Sequence, residues 1–565
     1  MAAAPTRSLL TRPRARLLAV LAVCAVNFFA HLGALPVTLM EARNFVAARE
    51  MAAGGSWLLP TMNGQLRLAK PPLPTWSVAT LLRLTHEAAN PALLRLPAAA
   101  MATLLVLFFW GLTRELTRPA PDEALAPGRT AWLAALVLGS SLLVVTVGRE
   151  GQWDIFSNSL AIGSLWLLAR GWNQPGPAYL TFVGAGLLLG GTFLSKGPVS
   201  LYTLVLPFVA ATLTRWQPGG RARLRQHLRG TLVAAGVGLL VGGAWPLYVW
   251  QHVPAAAAAV ARVEVSSWSE RHVEPGWYYF NFAVFVGVWA LVALAALAAP
   301  YARPRAARFV PYGFGLAWLL AALVLLSVVP AKKERYMLPL LPPLVLLLTG
   351  LLRYWEQEVA AQRRAPAPDR WLLHAWATAL TLAAVAVPVA LWWAHLPGFE
   401  PADPAFLLTV LALGALAALA ARGGWQQRPG PLILASVLMM SALLALLLPA
   451  YAALKTRAEA TGLRRLTHAL ARSAWQRLPW LALDELPIEQ VWQAGRAVPT
   501  WAAPANRLPP LPAVVVAAAP LPRRLPAAWR GRVRVVRTDS FYLGSKPEDG
   551  LFYVGELVAG PADER

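Results

Sequence analysis

Apolar residues along this chain run in long blocks instead of alternating with polar ones. The blocks lie near 17–37, 93–113, 131–148, 155–169, 178–195, 198–214, 231–250, 277–300, 309–330, 337–352, 371–394, 405–421 and 431–450. A helix needs about 20 apolar residues to cross a bilayer, so the pattern predicts an all-α polytopic membrane protein with about 13 transmembrane helices. Arginine marks every second connection: Arg7, Arg12, Arg14 and Arg16, then Arg114, Arg118 and Arg129, then Arg170, then Arg215 to Arg229, then Arg303, Arg305 and Arg308, then Arg353 to Arg370, then Arg422 and Arg428. The positive-inside rule puts those connections and the N-terminus in the cytoplasm and the C-terminal tail outside. Residues 71–84 are apolar but too short to span, which predicts a helix lying in the outer interface.

Composition supports the membrane reading and removes others. With 57% hydrophobic and 14% charged residues, the chain is too apolar for a soluble globular protein. The net charge of +24 comes from arginines spaced between apolar blocks, the mark of cytoplasmic loops, and no basic nucleic-acid motif accompanies it. Cys24 is the single cysteine, which rules out a disulfide framework and a thiolate cluster. The first block is too long for a signal-peptide core and lacks a cleavage site, so it reads as a retained anchor.

The same orientation gathers the unusual polar stretches on the outer face. They are the loop that opens at residues 39–72, "GREGQWD" (148–154), "SKGP" (195–198), "RVEVSSWSERHVEPGWYY" (262–279) and "PAKKERYMLP" (330–339). Lysines and arginines on separate loops at the membrane boundary suit a phosphate with a lipid tail. Carboxylates beside them suit deprotonation of an acceptor hydroxyl or stabilisation of a cationic sugar carbon. An outward-facing transferase without a nucleotide-binding fingerprint takes its activated group from a lipid carrier.

These stretches also carry a resemblance. "EARNFVAAREMAAGGSWLLPTMNGQLRLAKPPLPTW" (41–76) is similar to the first outer loop of bacterial glycosyltransferases related to protein O-mannosyltransferases and to the lipid A aminoarabinose transferase. "GGTFLSKGPVSL" (190–201), "HVEPGWYYF" (272–280) and "KKERYMLPLLPPLVLL" (332–347) follow in the family's order. The resemblance covers about the first 350 residues, and its specificity lies in the combination. It implies a C-type glycosyltransferase fold that takes a sugar from undecaprenyl phosphate and transfers it with inversion on the outer leaflet of the inner membrane. The acceptor would be lipid A, a glycan or a protein. Glu41 and Asp154 become the candidate catalytic residues. Arg43, Lys70, Lys196, Arg271, Lys332, Lys333, Arg335 and Tyr336 become the candidate substrate-binding residues, with Lys70 matched to the Lys-Pro-Pro lysine associated with the carrier phosphate.

Two positions depart from the family pattern. Met40 stands where relatives have aspartate, and Ala69 stands where an acidic residue precedes Lys-Pro-Pro. Either Glu41 takes over as base or no base is needed, as for an acceptor phosphate that is already anionic. A divalent metal is a candidate cofactor. Structural readings stand beside the functional ones: Glu41 and Arg43 pairing on a helix, Asp154 capping a helix, Lys70 snorkelling, and Lys332, Lys333 and Arg335 meeting lipid headgroups. A noncatalytic relative that binds lipid-linked sugar and a transporter or flippase are the competing functions. The expected domains are a transmembrane transferase (1–450), with outer loops at 38–92 and 251–276, and a small α/β periplasmic domain (451–565). That tail is read from a helix-like stretch at 456–478 and strand-like runs at "PAVVVAAA", "RVRVVRTDSFYL" and "GLFYVGELV".

Overall fold

A computed structural model describes residues 12–87, 89–214, 219–270, 272–360, 366–395, 399–452, 474–501, 507–542 and 551–560. Each apolar block is helical. Among the described residues eight helices are long and apolar enough to cross a membrane, and a ninth is added if the pair Arg129–Gly139 and Leu142–Gly148, bent by 61°, forms one span. Leu201–Thr212 and Tyr312–Val328 are apolar but shorter. Length and composition alone therefore do not reach the expected count of about 13, because several blocks are broken or short. The protein is a multi-pass membrane protein.

The bend has an identifiable cause. Ser140 Oγ donates to the Leu136 carbonyl at 2.7 Å and Ser141 Oγ donates to the Val137 carbonyl at 2.7 Å. Hydroxyls that bond back into the preceding turn compete with the backbone ladder and bend helices. Trp289 Nε1 donates to Ser140 Oγ at 3.0 Å and fixes the break from a neighbouring helix.

The chain divides into two compact units. One comprises residues 1–32, 68–74 and 95–450, and the other residues 33–67, 75–94 and 451–565. In the first, glycines set the closest helix contact. Gly186 and Gly190 on Tyr179–Lys196 meet the helix Leu228–His252, where Gly238 and Gly242 keep the same spacing of four. A Cβ at Gly190 would lie 2.5 Å from Cβ of Val241, and one at Gly242 would lie 2.6 Å from Cβ of Phe193. Small residues four apart let membrane helices approach to backbone contact.

In the second unit the first loop folds with the C-terminal tail. Thr38 and Glu41 form a capping box at the start of the helix Leu39–Ala52, with Thr38 N donating to Glu41 Oε2 at 3.0 Å. Phe45, Ala48 and Met51 on that helix pack against Val78, Ala79 and Leu82 of the helix Leu73–Thr85, which is 13 residues long and not among the candidate spans. Val46 packs instead with Trp475, Trp480, Val514 and Val554 of the tail. Strands β1 (Thr61–Met62) and β2 (Gln65–Leu66) form a hairpin through Asn63 and Gly64, whose φ values of 55° and 77° are those of the tight turn that Asn-Gly favours. Glu50 clamps the hairpin by accepting from Thr61 Oγ1 and Asn63 N, both at 2.6 Å. Asn63 exchanges two hydrogen bonds with the backbone of Val498, at 2.7 and 2.8 Å.

The tail contains strands β3 (Trp480–Ala482), β4 (Ala513–Ala517), β5 (Val533–Tyr542) and β6 (Leu551–Ala559), in the sheet order β3-β4-β6-β5. β3 and β4 are parallel and the other pairs antiparallel, with a register shift between Val535 and Arg537. The three expected strands are present, β3 joins them, and the helix-like stretch at 456–478 falls mostly outside the described residues.

The glycine contact yields one expectation. Gly190→Val drives two methyl groups into Val241 and is expected to destabilise the helical unit by about 1–3 kcal/mol. A lowered thermal midpoint of the purified protein in detergent checks it, with Gly236→Ala, where a Cβ meets open space, as the silent control.

Candidate functional site

Two helix ends create the centre of the site. The helix Trp153–Trp172 begins where the helix Tyr179–Lys196 ends, because the two are packed neighbours joined by a short turn. Asp154 lies in the first turn of one and Lys196 is the last residue of the other. A carboxylate at a helix N-terminus and an ammonium at a C-terminus are each favoured by the peptide dipoles. Gly197, with φ 70°, and Pro198 stop the second helix at the lysine. Lys196 Nζ donates to Asp154 Oδ1, and both side chains are buried. Asn158, one turn further on, donates to the Asp154 backbone carbonyl at 2.9 Å.

The segment Glu334–Leu340 brings a second cation. Arg335 Nε lies 3.4 Å from Asp154 Oδ2, so the carboxylate sits between an ammonium and a guanidinium. The Tyr336 ring lies 4.4 Å from Lys196 Nζ and 5.7 Å from the Arg335 guanidinium carbon, which places both cations within reach of its π-face. Lys70 stands in the extended stretch before Pro71 and Pro72, and its Nζ lies 3.0 and 3.2 Å from the two carboxylate oxygens of Glu264. Lys70 is also within electrostatic reach of Tyr336, and Glu264 of Lys196. One cluster thus holds three cations and two carboxylates. Lys70 and Glu264 are partly exposed, while Asp154 and Lys196 are enclosed.

The other candidates take different places. The Lys332 ammonium is buried and donates to the Val329 carbonyl at 2.8 Å, so it caps its own turn. Desolvation lowers its pKa and the Glu274 carboxylate partly offsets that. Lys333 N donates to Tyr279 Oη at 3.3 Å. Arg271 lies outside the described residues, but its neighbours are pinned: Lys332 N donates to the His272 carbonyl and Ala331 N to the Trp268 carbonyl, both at 3.0 Å. Glu41 and Arg43 belong to the other unit. Glu41 is fully buried in its capping box, and Arg43 is exposed with Nη1 3.9 Å from Met40 Sδ. Arg49 of that helix donates to the carbonyls of Val491 and Trp492, and burial pushes it down to about 10, still cationic at neutral pH.

Sequence reasoning did not single out Glu264. Its local signal is a carboxylate two residues after Arg262, at the end of the small and apolar run "PAAAAAVA". Among the described residues no three His, Cys, Asp or Glu side chains are placed to hold a metal ion.

Further along the helical stretch that follows Glu334, a second charged network forms with the start of the helix Arg129–Gly139. Arg353 and Arg129 both pair with Glu356, at 3.0 and 2.7 Å, and Arg353 Nε donates to Thr130 Oγ1 at 3.2 Å. Arg335 and Arg353 are separated by about 30 Å at the rises of the 3₁₀ segment and the helix that follows it.

The buried pair has a measurable signature. Lys196→Met leaves the Asp154 carboxylate buried beside Arg335 alone, and is expected to cost about 3–5 kcal/mol. The double variant Asp154→Asn with Lys196→Met removes the stranded charge and is expected to recover part of that loss, read as thermal midpoints of the three proteins.

Residues 69–245 match the family described as dolichyl-phosphate-mannose-protein mannosyltransferase. The undecaprenyl phosphate-alpha-4-amino-4-deoxy-L-arabinose arabinosyl transferase of Edwardsiella ictaluri is 28% identical over 327 residues, 55% of each chain. The protein of the same name from Yersinia enterocolitica is 27% identical over 340 residues, 57% of each chain. The chain therefore spans about half the length of the curated relatives it matches. In fold the likeness extends further: the crystal structure of ArnT from Cupriavidus metallidurans bound to undecaprenyl phosphate superposes with a TM-score of 0.71 at 17% identity, covering 96% of this chain and 98% of that one. The likeness in fold therefore runs over nearly the whole length, while the likeness in sequence is confined to about half of it.

Proposed function

We propose that this protein is a bacterial inner-membrane glycosyltransferase that moves a sugar from an undecaprenyl-phosphate carrier to lipid A, a glycan or a protein on the periplasmic face. The observation that carries the reading is the cluster of Lys70, Arg335 and Lys196 around Asp154 and Tyr336. It offers fixed cations for a carrier phosphate and a carboxylate in the same place. The donor named for the relatives, an aminoarabinose on undecaprenyl phosphate, is the first to test. In this reading the arginine-rich connections and the N-terminus are cytoplasmic, and the unit containing residues 451–565 is periplasmic.

The step is an in-line displacement at the anomeric carbon. The bond from that carbon to the carrier phosphate oxygen breaks, the acceptor oxygen bonds to its opposite face, and the configuration inverts. Lys70 and Arg335 stabilise the charge that returns to the phosphate as it leaves; preorganised donors of this kind supply the largest share of such catalysis. Asp154 orients Lys196 and Arg335. An acceptor hydroxyl passes its proton to a carboxylate, whereas an acceptor phosphate has none to lose. Asp154 is the candidate carboxylate within the cluster, since Glu41 is enclosed in its capping box in the other unit. Met40 and Ala69 instead favour a relative that binds lipid-linked sugar without transferring it, and turnover separates the two.

Mass spectrometry of lipid A and surface glycans from cells with and without the gene tests the function. A mass increment that requires the gene is expected. Lys70→Ala and Arg335→Ala are expected to lower it about 100-fold or more at equal protein per membrane. Full modification in both variants overturns the site, and no gene-dependent increment overturns transfer.

A further inference from the structure

The proposed donor site is already occupied by one of the protein's own anions. Glu264 faces the Lys70 ammonium with both carboxylate oxygens, at 3.0 and 3.2 Å, in the geometry that a phosphate would adopt. Two oxyanions cannot both take the same ammonium in that way, because the second to arrive loses hydrogen bonds and meets like charge. We propose that Glu264 is an internal competitor for the carrier phosphate, holding Lys70 when the site is free and yielding it when donor binds. The inference rests on the transferase reading above and deepens it: Glu264 is a positioning residue that sets donor affinity.

The surroundings of Glu264 suit exchange. It sits on the helix Pro254–Glu270, in which no residue is buried and Val263, Val265 and Trp268 are exposed. Little packing therefore holds the helix in place. Among the described residues its anchors include Lys70, the Tyr202 ring 6.5 Å from Trp268, and the hydrogen bond from Ala331 N to the Trp268 carbonyl. The last of these joins the helix to the strand-like pairing of Val273 with Ala331, four residues before Arg335. A carboxylate released from Lys70 remains within electrostatic reach of Lys196, so leaving the first ammonium does not strand it without a cation. Partly exposed pairs are weak, which keeps the competition reversible.

The test measures binding of undecaprenyl phosphate to the full-length protein in nanodiscs, by calorimetry or tryptophan fluorescence. Undecaprenol and inorganic phosphate serve as separate arms to tell lipid-borne from free phosphate. Glu264→Gln is expected to bind undecaprenyl phosphate about two- to fivefold more tightly than wild type. Glu264→Asp, which keeps the charge, is expected to restore wild-type affinity. Combined with Lys70→Ala, the Glu264→Gln change is expected to make no further difference to binding. Unchanged or weakened binding in Glu264→Gln, with wild-type binding still dependent on Lys70, overturns the competitor while leaving the transferase reading intact. Wild-type binding absent or indifferent to Lys70 overturns both. Tightening equally seen for undecaprenol shows that Glu264 acts on the lipid tail, and overturns the proposal.

Discussion

The ion pair between Asp154 and Lys196 is the constraint on which the helical unit turns. It needs two neighbouring antiparallel helices whose opposite ends meet, one presenting free N–H groups and the other free carbonyls. Each charge then answers a helix end as well as its partner, and so a buried pair becomes tolerable at the edge of a membrane. Much of the rest follows from holding those ends together. The glycine contact fixes Tyr179–Lys196 against Leu228–His252, Gly197 and Pro198 stop the helix at the lysine, and the chain after Pro330 brings Arg335 in from the side.

Two charged networks stand out among the described residues of the helical unit. One gathers three cations and two carboxylates around an aromatic ring, where Lys70 and Glu264 retain access to solvent. The other ties Arg129 and Arg353 to Glu356, with Thr130 and Glu123 beside them. The arginines that recur in every second connection therefore also fasten helices to each other. The apolar middle carries neither network, consistent with the high cost of charge within hydrocarbon.

Much of this was legible in the sequence, and the boundary has a physical basis. Apolar blocks report helices directly, since block length and helix length answer to the same hydrocarbon thickness. The short helix Leu73–Thr85 and the tail strands β4, β5 and β6 were likewise legible, because residues close in sequence decide them. Asp154, Lys196, Arg335 and Lys70 stood out as charges at the mouths of apolar blocks, and the fold gathers them. Contacts between residues far apart were not legible. No periodicity shows that Glu264 meets Lys70, that Lys332 caps its own turn, or that Arg49 and Glu50 serve the packing of the loop. Nor does any local signal say that residues 33–67 fold with the tail.

That last contact has a consequence in time. The hydrogen bonds between Asn63 and Val498 join residues 435 apart in sequence. At ordinary rates of synthesis the second partner follows the first by roughly 20–90 s. During that interval the membrane spans are threaded one after another while the loop's hydrophobic face waits outside them without Val514, Val516 and Phe552. The segment 33–67 thus leaves the ribosome long before the strands it packs against, and a chain that stops before them would leave that face open to proteases.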